Sequence, residues 1–146
     1  MSDATPSQVV SQLIEFFAAK QFDKAADLYS DDAVLVLPLA QPNAPIMVGG
    51  AGIRKMANAS KPVMYEDIHV RNLKIRTTAD PEVVIAEWDY AGVSPATGKP
   101  FETGNLIITR VRDGKIVSSR DYHDHVVRAW ISGDLDTLLA QLAEGN

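Results

Sequence analysis

The sequence predicts a small α+β domain in which a curved, mostly antiparallel sheet wraps on helices into a cone with an internal pocket. Three observations carry that expectation. Segments with helical spacing fall in the first part of the chain, and long strand-like segments follow one another in the second part. Only tight turns separate those strands, so the crossover helices that a parallel sheet needs are missing. A strongly curved sheet covered by helices on one face leaves a cavity at its centre.

Each element has its own local reason. Thr5-Pro6 reads as an N-cap followed by proline at the first helical position. Val9, Val10, Leu13, Ile14, Phe16 and Phe17 then recur at helical spacing to about Lys20. A second short helix is expected from about Asp23, as its cap, to Tyr29. Ser30-Asp31-Asp32 reads as a turn into an apolar strand, Ala33–Leu37, which Pro38 ends. Residues 38–50 hold three prolines and Gly49-Gly50, the pattern of a loop with a short extended piece at Ile46–Val48. A third helix is expected from Ala51 to about Ser60. Four strands follow, at Tyr65–Thr78, Val83–Val93, Phe101–Arg112 and Lys115–His123. Their turns are Asp80-Pro81, Pro95–Gly98 and Asp113-Gly114, the last a strong hairpin signal. A closing helix at about Asp134–Ala143 follows Gly133.

Length and composition narrow the function. A chain of 146 residues fits a single domain spanning 1–146, since two halves would have marginal cores. Hydrophobic residues make up 46% and charged residues 23%, which is ordinary for a globular protein. The net charge of −5, with no cluster of Lys and Arg, argues against nucleic acid and against an anionic membrane surface as partners. There is no cysteine, so disulfides and thiolate chemistry are excluded. No apolar run has membrane-spanning length, and Met1–Pro6 lacks the features of a signal peptide. A cytoplasmic location is the expectation. No nucleotide loop, flavin fingerprint or serine-nucleophile motif appears, so no cofactor is expected.

The stretch Gly114-Lys115-Ile116-Val117-Ser118-Ser119-Arg120-Asp121-Tyr122-His123-Asp124 resembles the last strand of SnoaL-like proteins, within the nuclear-transport-factor-2-like superfamily. The order of elements is similar across essentially the whole chain. The resemblance implies the cone-shaped barrel fold, and it leaves the chemistry open, since that superfamily holds isomerases, cyclases, hydrolases, dehydratases and non-catalytic domains. Limonene-epoxide-hydrolase-like enzymes share the hairpin and Arg120-Asp121-Tyr122. Phenazine-biosynthesis A/B-like proteins share the hairpin and an acid at Asp121, and in both groups that acid is functional. The epoxide hydrolase triad is not retained: its Arg and Asp fall on Trp88 and Tyr90, and its first-strand pair falls in the apolar stretch Ala33–Leu39. The early-strand acid of steroid isomerases is missing too. Ala51–Met64 also lacks the histidine of the phenazine-type proteins.

Alternate residues of a strand share a face, so Ser119, Asp121 and His123 point together, by the resemblance into the cone. Thr103, Asn105 and Ile107 share a face of the neighbouring strand, and Trp88 and Tyr90 of the next. The expected pocket is aromatic-walled, with Asp121 and His123 as catalytic groups and Trp88, Tyr90, Asn105, Thr103 and Phe16 against the substrate. A carboxylate in an apolar cavity is pushed toward the range useful for proton transfer. Asn105 or Tyr90 then donates to a developing oxyanion, and His123 tunes Asp121 or shuttles its proton.

Plainer roles stand beside these. Asp121 can simply pair with Arg110 or Arg112, His123 can be a solvated rim residue, and Trp88 and Tyr90 can be wall or core. His123-Asp124-His125 puts two histidines on one strand face, but no third ligand supports them, so no metal is expected. Glu87 and Asp89 face away from the pocket. Ile85, Leu106 and Ile108 are apolar on the outer face, the pattern of a homodimer surface. The function expected is cofactor-free acid–base chemistry (isomerisation, cyclisation, dehydration or condensation) on a small hydrophobic ring compound. A ligand-binding or assembly domain is the alternative.

Overall fold

The computed structural model describes residues 4–59 and 68–145. Thr5 starts α1 (Pro6–Ala18) with a capping box, in which Gln8 N–H donates to Thr5 Oγ1 at 3.2 Å and Thr5 N–H donates to Gln8 Oε1 at 2.8 Å. Such caps stabilise a helix end by about 1 kcal/mol. Val9, Val10, Leu13 and Ile14 are buried, and this face packs across one edge of the sheet, on the strands at 69–77, 83–93 and 100–112.

The chain leaves α1 through Lys20 at φ 61°, and Gln21 N–H donates back to the Phe16 carbonyl at 2.8 Å. This compact exit starts α2 (Phe22–Ala26) one residue early and makes Gln21, not Asp23, its N-cap position. Asp23 lies inside the first turn, where its charge suits the helix dipole and Arg54 reaches it at 3.3 Å. α2 ends at Ala26, and Tyr29 belongs to the next strand.

β1 (Tyr29–Val36) includes the Ser30-Asp31-Asp32 segment that reads as a turn. Tyr29 pairs with Ile116 and Val34 with Ser118, so the acidic residues occupy a register shift between two paired stretches. Local turn propensity yields there to pairing with a strand far along the chain. β2 (Ile46–Val48) falls where it is expected. α3 (Gly49–Ala59) starts two residues earlier, at a glycine with φ +65° whose added Cβ would lie 2.4 Å from the Asp31 carbonyl oxygen. Only glycine fits that corner. The expected end of this helix at Ser60, and the strand residues 65–67, lie outside the described residues.

β3 (His69–Thr77), β4 (Val83–Val93), β5 (Pro100–Arg112) and β6 (Lys115–His123) follow the expected order. The sheet runs β2-β1-β6-β5-β4-β3, antiparallel except for the β1–β6 pair. Burial alternates strictly through most of β4 and β5, so one face carries Val84, Ala86, Trp88 and Tyr90 beside Thr103, Asn105, Ile107 and Thr109. The α+β architecture is as expected.

One helix is missing from the sequence expectation. α4 (His125–Ser132) begins directly after β6, with Val127 N–H donating to Asp124 Oδ1 at 3.0 Å, and ends at Gly133 with φ 78°. His125 therefore starts a helix and does not share a strand face with His123. Ile131 is fully buried beneath α4, and the buried Ser94 hydroxyl donates to its carbonyl at 2.6 Å. α5 (Leu135–Ala143) closes the described chain. No helix among the described residues is long and apolar enough to cross a membrane.

Ser94 ties α4 to the end of β4. Ser94→Ala is expected to lower stability by about 1–3 kcal/mol, because a buried hydrogen bond is removed. Urea unfolding with an unchanged slope would check this, and an unchanged midpoint would contradict it.

Candidate functional site

Three strands build the floor of a cavity of about 600 Å³. Their register places residues directly opposite one another in rows: Val84–Thr109–Ser119, then Ala86–Ile107–Asp121, then Trp88–Asn105–His123. Tyr90 faces Thr103 in the row beyond. Leu13, Ile14 and Phe17 of α1 cover the cavity, and His125, Arg128 and Ala129 of α4 close another side. Part of the 38–50 loop joins them through Ala40, Gln41 and Pro45.

Asp121 lies in this apolar setting and is 8% exposed. The Ser119 hydroxyl donates to its Oδ1 at 2.5 Å, and Thr109 lies 2.9 Å behind Ser119 in the same chain. Burial pushes the Asp121 carboxyl up to about 7, although the Ser119 hydroxyl and the Arg128 charge both pull it down. With Oδ1 engaged, Oδ2 is the oxygen on the side of His123, whose Nε2 stands 4.0 Å away. That gap is too long for a hydrogen bond. Arg110 and Arg112, the plainer partners for Asp121, both bind Glu82 instead, and Arg110 also meets Asp80 at 2.9 Å. They sit at the far, solvent end of the sheet.

His123 is held by Asn105. Asn105 Nδ2 donates to the Thr103 carbonyl at 3.1 Å and the Trp88 carbonyl at 3.4 Å, which leaves Oδ1 as its acceptor. Oδ1 lies 2.8 Å from His123 Nδ1 and accepts from Arg128 Nη2 at 3.2 Å. An acceptor at Nδ1 assigns the ring proton to that nitrogen and leaves Nε2 with a lone pair facing Asp121. Burial first, then the Arg128 charge and His125, hold His123 well below the ordinary histidine range. His125 is pushed down to about 4 by burial and Arg128. Near neutral pH both rings are uncharged. Tyr29 is buried beside Asp121, and burial raises its phenol well above the usual value, so it keeps its proton.

Of the residues expected in the site, Asp121, His123, Trp88 and Tyr90 line one cavity. Asn105 and Thr103 do not. Asn105 stands behind His123 and orients it, with its amide protons committed to backbone carbonyls, so it cannot serve an oxyanion. Thr103 is buried outside the lining, and its hydroxyl has no partner. Phe16 also falls outside the lining: it lies on the flank of α1, half-buried with Lys24 Nζ 5.9 Å from its ring, while Phe17 takes the cavity side. Adjacent helix residues lie about 100° apart, so only one of the pair can face inward. Glu87 and Asp89 turn outward, toward Arg76 and Asn72.

Sequence reading missed Tyr29, His125 and Arg128. The signal for the last two was the Asp124 cap and the Gly133 stop that bracket α4. Its face His125, Arg128, Ala129 and Ser132 then follows at helical spacing. Trp88 packs edge-on against both Tyr90 and His123, with ring centroids 5.7 and 6.4 Å apart. Among the described residues, Trp88 Nε1, His125 Nε2 and Arg128 Nε are buried without a partner. An unpaired buried polar atom costs about 1–3 kcal/mol, and a polar group of a ligand would offset that cost. Among the described residues no cluster of three metal-ligating side chains occurs.

Comparison with known proteins agrees with the fold. The family profile described as a SnoaL-like domain matches residues 10–119. A PhzA/B-like protein of Pseudomonas aeruginosa is 30% identical over 98 residues, covering 66% of this chain and 67% of that one. Among solved structures, a Bacillus subtilis protein provisionally named an isomerase has a TM-score of 0.73 at 23% identity, covering 88% of this chain and 92% of that one. A provisionally named polyketide cyclase of Xanthomonas campestris has a TM-score of 0.67 at 19% identity, covering 87% and 94%.

The buried titrating groups set a pH dependence. Asp121 holds its proton to a higher pH in the fold than in the unfolded chain, so its contribution to stability is full below about 4 and is lost as pH rises through about 7. His125 acts oppositely: its contribution is full above about 6.5 and is lost as pH falls toward about 4. Asp121→Asn removes the first effect alone. It is expected to be more stable than the parent by on the order of 2–4 kcal/mol at pH 8, with little difference at pH 4. Denaturant titrations at the two pH values measure this, and equal stability at pH 8 would show that ionised Asp121 is not a cost.

Proposed function

The chain belongs to the SnoaL-like domain family, and from that premise we propose that it is an enzyme moving a proton on a hydrophobic ring compound. Asp121 Oδ2 is the working atom. The observation that carries this reading is a carboxyl poised at about 7 inside an apolar, aromatic-walled cavity, with its other oxygen tied back by Ser119.

The chemistry follows from the placement. As a carboxylate, Asp121 takes a proton from carbon next to a ring carbonyl, and the electron pair of the broken C–H bond moves onto the carbonyl oxygen. The Tyr29 O–H, kept protonated by its burial, donates to the enolate oxygen. Protonated Asp121 then returns the proton to the same or a conjugated carbon. His123, held neutral by burial, keeps its Nε2 lone pair 4.0 Å from Oδ2 and orients polar groups of the substrate beside the acid. Cyclisation, dehydration and isomerisation share this first step, and the cavity holds a fused ring system with room to spare.

A screen needs no knowledge of the natural substrate. Hydrogen–deuterium exchange next to the carbonyl of α-tetralone, followed by NMR, is expected to be accelerated by the protein and slowed about 10²–10⁴-fold in Asp121→Asn. The rate should rise with pH and level off above about 7, as the carboxylate forms. Exchange that persists in a folded Asp121→Asn would exclude Asp121 as the base. Binding of ring ketones with no exchange in the parent protein would favour the ligand-binding reading.

We also propose a homodimer through the outer sheet face, where Ile85, Leu106 and Ile108 lie on β4 and β5, opposite the cavity side. Sedimentation at micromolar concentration is expected to give twice the chain mass, and Leu106→Lys to give the single-chain mass. A monomeric parent protein would overturn this assembly.

A further inference from the structure

Arg128 is the one fixed cation among the described residues that line the cavity, which also include the carboxyls of Asp121 and Asp134. It projects from α4 into the lining, where both neighbouring histidines are neutral near pH 7. Among the described residues its guanidinium makes one hydrogen bond, to the Asn105 side chain, and no ion pair. Asp121 feels it only through space, and Asp124 is spent on capping the helix that carries it. A guanidinium offers five N–H donors in a planar fork, and among the described residues the buried Nε meets no acceptor. Trp88 Nε1, in the row that Asn105 and His123 complete, is a second idle donor in the same lining. A buried donor needs an acceptor, and one beside a half-buried guanidinium is best met by an anion.

We propose that Arg128, seconded by the Trp88 indole N–H, receives a carboxylate carried by the ring compound, so that the substrates of this protein are cyclic keto acids rather than neutral ketones. A carboxylate matches the guanidinium fork with two parallel hydrogen bonds. Asn105 ties that receiving end to the chemistry, because its single oxygen meets both Arg128 and His123. An anion seated on Arg128 therefore places the rest of the ring along the aromatic wall toward Asp121. The proposal names the substrate class for the acid–base reading and rests on it for the word substrate, while the binding site stands on its own geometry.

The test compares 2-naphthoate with its uncharged counterpart 2-naphthamide by calorimetric titration. The parent protein is expected to bind the carboxylate at least about tenfold more tightly. Arg128→Met should lose that preference, and Arg128→Lys, which keeps the charge but not the fork, should retain part of it. Equal binding of the two probes by the parent protein overturns the proposal, as does a folded Arg128→Met that still prefers naphthoate. If the Met variant does not fold, the Arg128 Nε–H resonance of the parent protein decides. A shift with naphthoate and none with naphthamide supports the site, and an unmoved resonance overturns it. Asp121→Asn separates the two readings. Its preference for naphthoate should persist while tetralone exchange disappears. Exchange that survives with the preference intact sinks only the acid–base reading, and exchange lost in a protein without the preference sinks only the carboxylate site.

Discussion

The direct opposition of Trp88, Asn105 and His123 across β4, β5 and β6 governs everything else in the site, because a strand has only two faces. A slip of one residue in β6 would turn Asp121 and His123 to the outer surface and bring Arg120 and Tyr122 inward. Complementary burial in the three strands prevents that slip. Ile107 and Val84 on the inner face are almost wholly hidden, while Glu87 and Arg110 on the other face need water and ion partners. The same register that buries the hydrophobic residues therefore delivers the acid, the histidine and the amide that holds it.

Burial works on the polar groups in opposite directions. It raises the carboxyl of Asp121 and lowers the imidazoles of His123 and His125, so the inner cavity favours neutral forms near pH 7. Arg128 is the exception, since a guanidinium does not surrender its proton in a protein. A fixed positive charge among groups that avoid charge polarises the site and creates a demand for an anion. At the solvent end of the sheet, by contrast, Arg110 and Arg112 are satisfied by Glu82 and Asp80.

Much of the site was legible in the residues. Alternation along Val83–Val93 and Lys115–His123 put Trp88 with Tyr90 and Asp121 with His123 on shared faces, the resemblance turned Asp121 and His123 inward, and all four line the cavity. What failed did so for identifiable reasons. Phe16 and Phe17 are equivalent in composition, and only the rotation of α1 on the sheet selects Phe17. Asn105 points inward as expected, yet its amide is taken up by the Thr103 carbonyl of its own strand and by the Trp88 carbonyl, which only strand pairing brings near. α4 was overlooked because Val126 and Val127 are β-branched and follow a strand closely, so its cap had to compete with a strand-like composition.

By itself the sequence determined the order of helices and strands, the tight hairpin at Asp113-Gly114, and which residues of each strand share a face, Asp121 with His123 among them. Those are properties of spacing and local turn chemistry, which a linear chain carries in full. The tertiary structure decided which inward residues reach the open cavity and which are held behind it, how Asp121 comes by its near-neutral proton affinity, and that Arg128 joins the site at all. Desolvation and long-range hydrogen bonds cause these, and both depend on neighbours distant in the chain: the Ile131 carbonyl on Ser94, the Arg128 fork on Asn105, and the helix α1 that shuts water away from Asp121.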